Sequence, residues 1–125
     1  MIDENPIREW LAAYRHAWST DDPSEVAALF NIDVRYFTAP YRPPLEGIPA
    51  VQDYWIGERE AGIPWSFEYQ VLAQEGDLFV VRAVTTYPEG GGHDDDPAQF
   101  HNLWLVTLDR DGRASQFVEY FMLVE

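Results

Sequence analysis

Cysteine and lysine are both missing from the chain. Without cysteine there are no disulfides, no thiolate metal sites and no thiol nucleophile. All 8 basic residues are therefore Arg, as the codon usage of a GC-rich genome would give; a salt-adapted host is the alternative. Positive charge is scarce altogether, since 22 acids against 8 bases leave a net charge of -14. A surface this acidic repels phosphate backbones and anionic headgroups, so neither nucleic acid nor a membrane is expected as a partner. No apolar run approaches the roughly 18 residues of a membrane span. The N-terminal MIDENPIREW has no basic start followed by an apolar stretch, so no secretory leader is expected and the location reads as cytoplasmic. Gly-rich phosphate loops, nucleophile elbows and dinucleotide fingerprints are absent. No pair of His has zinc or iron spacing, and no metal or cofactor is expected.

What is present is a core's worth of apolar residues and a surplus of aromatics. The 125 residues fit one domain, and five Trp, seven Tyr and seven Phe suffice to fill a core, wall a pocket, or both. Ile7, Trp10, Leu11, Tyr14, Ala17 and Trp18 recur at helical spacing, which predicts an amphipathic helix over 6–20. A short second helix is expected over 24–30, capped by Asp22. Residues 34–39 read as a strand. The proline-rich run 40–49 reads as an extended loop. Pro49 then opens a third helix, ended by Gly57 or Gly62, with Val51, Tyr54 and Trp55 on one face.

Strands are expected at 65–74, 78–88, 98–109 and 114–124. Gly76 and the Asp111-Gly112 pair mark the two tight turns. The acidic stretch 89–96, which holds Glu89, His93, Asp94, Asp95 and Asp96, reads as a solvated loop and lacks the alternating ligands of a calcium site. Helices early and strands late predict an α+β domain. The strand 98–109 is apolar at both parities: Phe100, Trp104, Val106 and Leu108 on one face, Leu103 and Leu105 on the other. A strand with one wet face alternates, so the outer face is expected to be covered by a second subunit, giving a homodimer.

Four pieces carry a family resemblance. They are REWLAAYRHAW in the first helix, VAALFNIDVRYF entering the first strand, the P-x(3)-P-x(2)-G-I-P-A-V-x-x-Y-W run, and the terminal LxxDRDGR…VEYF. In this order and spacing the chain resembles the SnoaL-like branch of the nuclear transport factor 2-like superfamily, as a single domain over 1–125. The resemblance implies a cone, in which a strongly curved, mostly antiparallel sheet wraps the N-terminal helices and leaves a pocket at the open end. It does not imply one function, because the superfamily holds isomerases, cyclases, dehydratases, epoxide hydrolases and non-catalytic binders.

The ketosteroid isomerases of that superfamily use a helix-one Tyr, a carboxylate base near the end of the first strand and a protonated acid on a late strand. Tyr14 matches the first. The base falls at Thr38 or Ala39 and the late acid at Trp104, none of which has acid chemistry. That mechanism is therefore not expected, and the Asp-Arg-Asp trio of the epoxide hydrolases finds no place either. Glu119 remains. It shares a strand face with Phe117 and Phe121, which predicts desolvation and a raised pKa. Its role is either acid/base chemistry or a structural ion pair with Arg82 or Arg35. His101 and Asn102 point to opposite faces, with Asn102 inward; His101 is carried as a third catalytic candidate beside Glu119 and Tyr14 because His shuttles protons near neutral pH.

The expected pocket residues are Tyr14, Trp18, Tyr36, Tyr54, Trp55, Asn102, Trp104, Glu119 and Phe121. The expected ligand is a small, largely apolar, neutral or cationic molecule. The chemistry, where there is any, is cofactor-free isomerisation, cyclisation, dehydration or hydrolysis. The alternative is a non-catalytic ligand-binding or protein-interaction module of the same fold.

Overall fold

A computed structural model describes residues 5–18, 20, 22–58, 66–87 and 98–124. The chain runs through α1 (Asn5–Trp18), α2 (Pro23–Ala27), β1 (Phe30–Phe37), β2 (Leu45–Glu46), α3 (Ile48–Glu58), β3 (Ser66–Glu75), β4 (Leu78–Tyr87), β5 (Ala98–Leu108) and β6 (Ala114–Leu123). The acidic stretch 89–96 and Gly62 lie outside the described residues.

Helix α1 buries Ile7, Trp10, Leu11, Tyr14 and Ala17, the stripe that the spacing predicts. Trp10 fixes its seat by donating from Nε1 to the Leu29 carbonyl at 2.9 Å. Arg15 ties the same helix to β3 by donating to the Phe67 carbonyl at 2.7 Å, with its guanidinium 4.5 Å from the Phe67 ring centre. Asp22 caps α2 by accepting from Ser24 N at 2.9 Å, with Pro23 in the first turn. This helix stops at Ala27, short of the expected Phe30, because Phe30 is fully buried and pairs with Ala114 in the sheet.

The six strands form one curled mixed sheet in the order β2-β1-β6-β5-β4-β3. Only β1 and β6 run parallel; the other neighbours are antiparallel. Two features depart from the sequence expectation. Strand β1 starts at Phe30 rather than 34. Asn31 and Asp33 look like turn residues, but they sit at a break in the β1–β6 register. There Asn31 Oδ1 accepts from Asp33 N at 2.8 Å and its amide donates to Asp109 Oδ2 at 2.7 Å. The run 40–49 is not wholly a loop either, since Leu45 and Glu46 pair with Tyr36 and Arg35.

The turns at Gly76 and Gly112 have φ of 58° and 78°, values that favour glycine. Asp109 holds the second turn closed, accepting at Oδ1 from Asp111 N at 2.8 Å and Arg113 N at 3.0 Å. Further register breaks between Val71 and Ala73 and between Thr107 and Leu108 add the bends by which a sheet curls. The concave face thus closes on α1 and α3. Tyr14 lies at the centre of the aromatic contacts, with ring centres 5.0 Å from Trp104, 5.1 Å from Trp55 and 5.8 Å from Phe67.

Candidate functional site

A cavity of about 260 Å³ opens on the concave side. Its wall takes Tyr14 and Trp18 from α1, Tyr36 from β1, Thr38 just past β1, and Tyr54 from α3. The sheet adds Phe67, Thr85, Phe100, Asn102, Trp104, Glu119 and Phe121. Alternation places the sheet residues: each faces inward because its neighbours along the strand face outward. Register does the rest, pairing Trp104 with Glu119 and Asn102 with Phe121 across β5 and β6.

Glu119 is the one carboxylate in this wall, and the described lining contains no Arg and no His. Burial pushes its pKa from 4.5 up to about 8. The Asn102 amide and the Trp104 indole N–H act the other way, but desolvation dominates. Asn102 Nδ2 donates to Glu119 Oε1 over a long 3.4 Å. The amide is held in turn by Thr85, whose hydroxyl donates to Asn102 Oδ1 at 2.8 Å. Glu119 Oε2 and Trp104 Nε1 are buried and have no hydrogen-bond partner among the described residues; the indole lies near the carboxyl without hydrogen-bond geometry. Tyr36, 5 % exposed, is raised well above its ordinary pKa, first by burial and then by the charges of Glu119 and Tyr54.

Eight of the nine expected pocket residues therefore line the cavity: Tyr14, Trp18, Tyr36, Tyr54, Asn102, Trp104, Glu119 and Phe121. Trp55 does not. It is 1 % exposed and packs behind the wall, 4.9 Å from Trp18 and 5.8 Å from Phe30 between ring centres. Its helix face points inward as expected, but Tyr54 is the residue that reaches the cavity. His101 is not brought to the cavity either. It is exposed on the outer face, between Val84 and Met122 in register, and borders an outer groove with Arg82, Leu103 and Tyr120. The ion-pair partners considered for Glu119 are also elsewhere. Arg82 is exposed and pairs with Leu103 on the outer face, and Arg35 sits 5.4 Å over the Phe37 ring.

Thr38, Phe67, Thr85 and Phe100 complete the wall without having been singled out as pocket residues. Thr85 did leave a trace in the sequence. The inward positions of β4 read Phe79, Val81, Ala83, then Thr85, and the hydroxyl breaks an apolar row. No group of three His, Asp or Glu that could hold a metal occurs among the described residues, and no helix is long and apolar enough to cross a membrane.

A curled sheet closed over helices around a cavity of this kind defines a nuclear transport factor 2-like cone protein. More narrowly, the SnoaL-like domain family model matches residues 11–117, and the chain belongs to that family. Three solved structures are similar in fold at 15 % identity each. The epoxide hydrolase/cyclase-like enzyme SalBIII, described in pyran ring formation in the polyether salinomycin, superposes with a TM-score of 0.74 over 98 % of this chain and 95 % of its own. A proposed SnoaL-like polyketide cyclase from Shewanella putrefaciens CN-32 gives 0.73 over 91 % and 78 %. TsrD from Streptomyces laurentii gives 0.71 over 97 % and 91 %. No curated protein matches the chain in sequence.

Proposed function

We propose that the protein binds a small, largely apolar molecule in the cone and carries out cofactor-free acid/base chemistry on it, with Glu119 as the proton-transferring group. One observation carries this reading: a carboxyl is buried in a cavity wall with no cation beside it among the lining residues. A structural glutamate is normally paired. An unpaired one whose pKa approaches neutrality suits a general acid, with its conjugate base available for the return step. With its pKa raised to about 8, the acid form leads at neutral pH. The Tyr14 hydroxyl and the Asn102 amide are the neighbouring oxygen-holding groups in this scheme. Of isomerisation, cyclisation, dehydration and hydrolysis, the descriptions of two fold neighbours as cyclase and epoxide hydrolase/cyclase-like agree with cyclisation and hydrolysis.

The test is conversion of a panel of small epoxides and polyketide-type ketones by wild type and Glu119→Gln, read by mass spectrometry. Wild type should convert at least one member, and the variant should lose about 10²-fold or more of that rate. Equal turnover in the variant would remove Glu119 from the chemistry.

We also infer a homodimer through the outer sheet face. In a chain of 22 acids, β5 and β6 carry no carboxylate apart from the inward Glu119. Their outward side shows Leu103, Tyr120 and Met122, the last 72 % exposed. That is where two copies of so acidic a protein meet with least repulsion.

A further inference from the structure

Thr85, Asn102 and Glu119 stand on three successive strands of the concave face, each on a diagonal from the next. Thr85 opposes Phe100, two residues from Asn102, and Asn102 opposes Phe121, two residues from Glu119. Diagonal neighbours on one face are within side-chain reach. Outside the aromatics, Thr85 and Asn102 are the least exposed polar residues among those described, at 8 % and 9 %. Strands β3 to β6 otherwise bring Phe67, Phe100, Trp104 and Phe121 to this wall. The polar pair thus interrupts an aromatic surface, and it ends on the carboxyl.

We propose that Thr85 is a positioning residue for Glu119: its hydroxyl holds the Asn102 amide with the N–H side turned to the carboxyl, and so holds the acid ready to release its proton. The proposal rests on Glu119 being the proton-transferring group of the cone.

The direction of the chain follows from counting protons. A threonine hydroxyl has one to give. Thr85 gives it to Asn102 Oδ1 at 2.8 Å and makes no other side-chain hydrogen bond among the described residues. With the amide turned over, Nδ2 would donate to Thr85 Oγ1, and the hydroxyl proton would be left buried without an acceptor, which is costly. Thr85 therefore keeps Oδ1 on its own side, and Nδ2 faces Glu119 Oε1 at 3.4 Å. A donor at that place favours the carboxylate over the acid, against the burial that favours the acid. Without the hydroxyl the amide is free to turn. A protonated Glu119 would then donate to Oδ1, and the proton would be held harder.

The titratable groups facing Glu119 are Tyr14 from α1, Tyr36 from β1 and Tyr54 from α3; β3, β4 and β5 bring only uncharged side chains to the cavity. Tyr36 is held well above its ordinary pKa, so the carboxyl releases its proton before Tyr36 does.

The experiment titrates the Glu119 carboxyl carbon by NMR, with its signal assigned by loss in Glu119→Gln, in wild type, Thr85→Val and Thr85→Ser. Thr85→Val should hold the proton about tenfold more tightly and titrate about one pH unit above wild type. Thr85→Ser keeps the hydroxyl and should titrate with wild type. A methyl in place of the hydroxyl also dries the wall, and Asn102→Leu separates the two effects. In that background Thr85→Val should add nothing, because a positioning residue acts only through the group it positions. An unmoved titration in folded Thr85→Val, an equal shift in Thr85→Ser, or a full shift surviving in Asn102→Leu would overturn the role. If Thr85→Val or Asn102→Leu does not fold, nuclear Overhauser contacts in wild type decide. The Asn102 side-chain amide protons should contact the Glu119 methylenes more strongly than the Thr85 methyl, and the reverse order would overturn the role. Turnover separates this proposal from the reading beneath it. With a converted substrate, the alkaline fall in rate should move up with the titration in Thr85→Val. A moved titration with an unmoved rate profile would leave Thr85 positioning the carboxyl and remove Glu119 from the chemistry.

Discussion

At the residue scale, Glu119 sets stability against function. Unfolded, its carboxyl ionises near 4.5; folded, burial delays this to about 8. The folded chain therefore binds the extra proton between those values, and stability falls as pH rises through that window. The loss is as much as about 5 kcal/mol. Thermal melting should show a wild-type Tm that declines from pH 5 to 9, against a flatter curve for Glu119→Gln. At pH 9 the variant should be the more stable protein; parallel curves would mean that the carboxyl is not desolvated. Much of this was legible from strand parity, because Phe117 and Phe121 flank Glu119 on one face. Trp55 was misplaced for a physical reason. A helical wheel shows which face turns inward, but not which inward residue ends at a cavity and which at a neighbour's ring. Thr38, Phe67 and Phe100 escaped for the same reason, since a strand's inward parity reads alike for core and cavity.

At the element scale, the local turns were legible and the long-range pairing was not. Asp-Gly and Glu-Gly between apolar runs announce their hairpins, and Gly112 takes φ 78° as that chemistry requires. An added Cβ there meets nothing within 4 Å, so Gly112→Ala should cost only backbone strain. That is about 1–2 kcal/mol, and it should appear as a lower denaturant midpoint at unchanged slope. No loss would mean that the turn relaxes to another type. The start of β1, by contrast, depends on partners far along the chain: Asn31 is held by Asp109 and Phe30 by Ala114. No local pattern encodes such a pairing, and two turn-forming residues inside a strand conceal it. The β2 bridge was hidden likewise, since two residues among prolines have no periodicity to read.

At the scale of the whole molecule, the acids are unevenly spread, and the strands β5 and β6 are where they thin out. Light scattering at micromolar concentration should give the mass of two chains. Tyr120→Glu, at a position 40 % exposed on the outer face, should return it to one chain with the circular dichroism unchanged. A monomeric wild type would remove the homodimer. The sheet order carries one more consequence, for the time course of synthesis. Strand β6 lies between β1 and β5, yet it leaves the ribosome after every other strand. Until it emerges, no strand pairing joins β1 and β2 to β5, β4 and β3, and both parts of the sheet show raw edges. Closing so wide a loop is slow, and exposed edges invite wrong partners meanwhile. The strand that brings Glu119 is thus also the keystone of the sheet, so the acid cannot reach its cavity before the sheet is one piece.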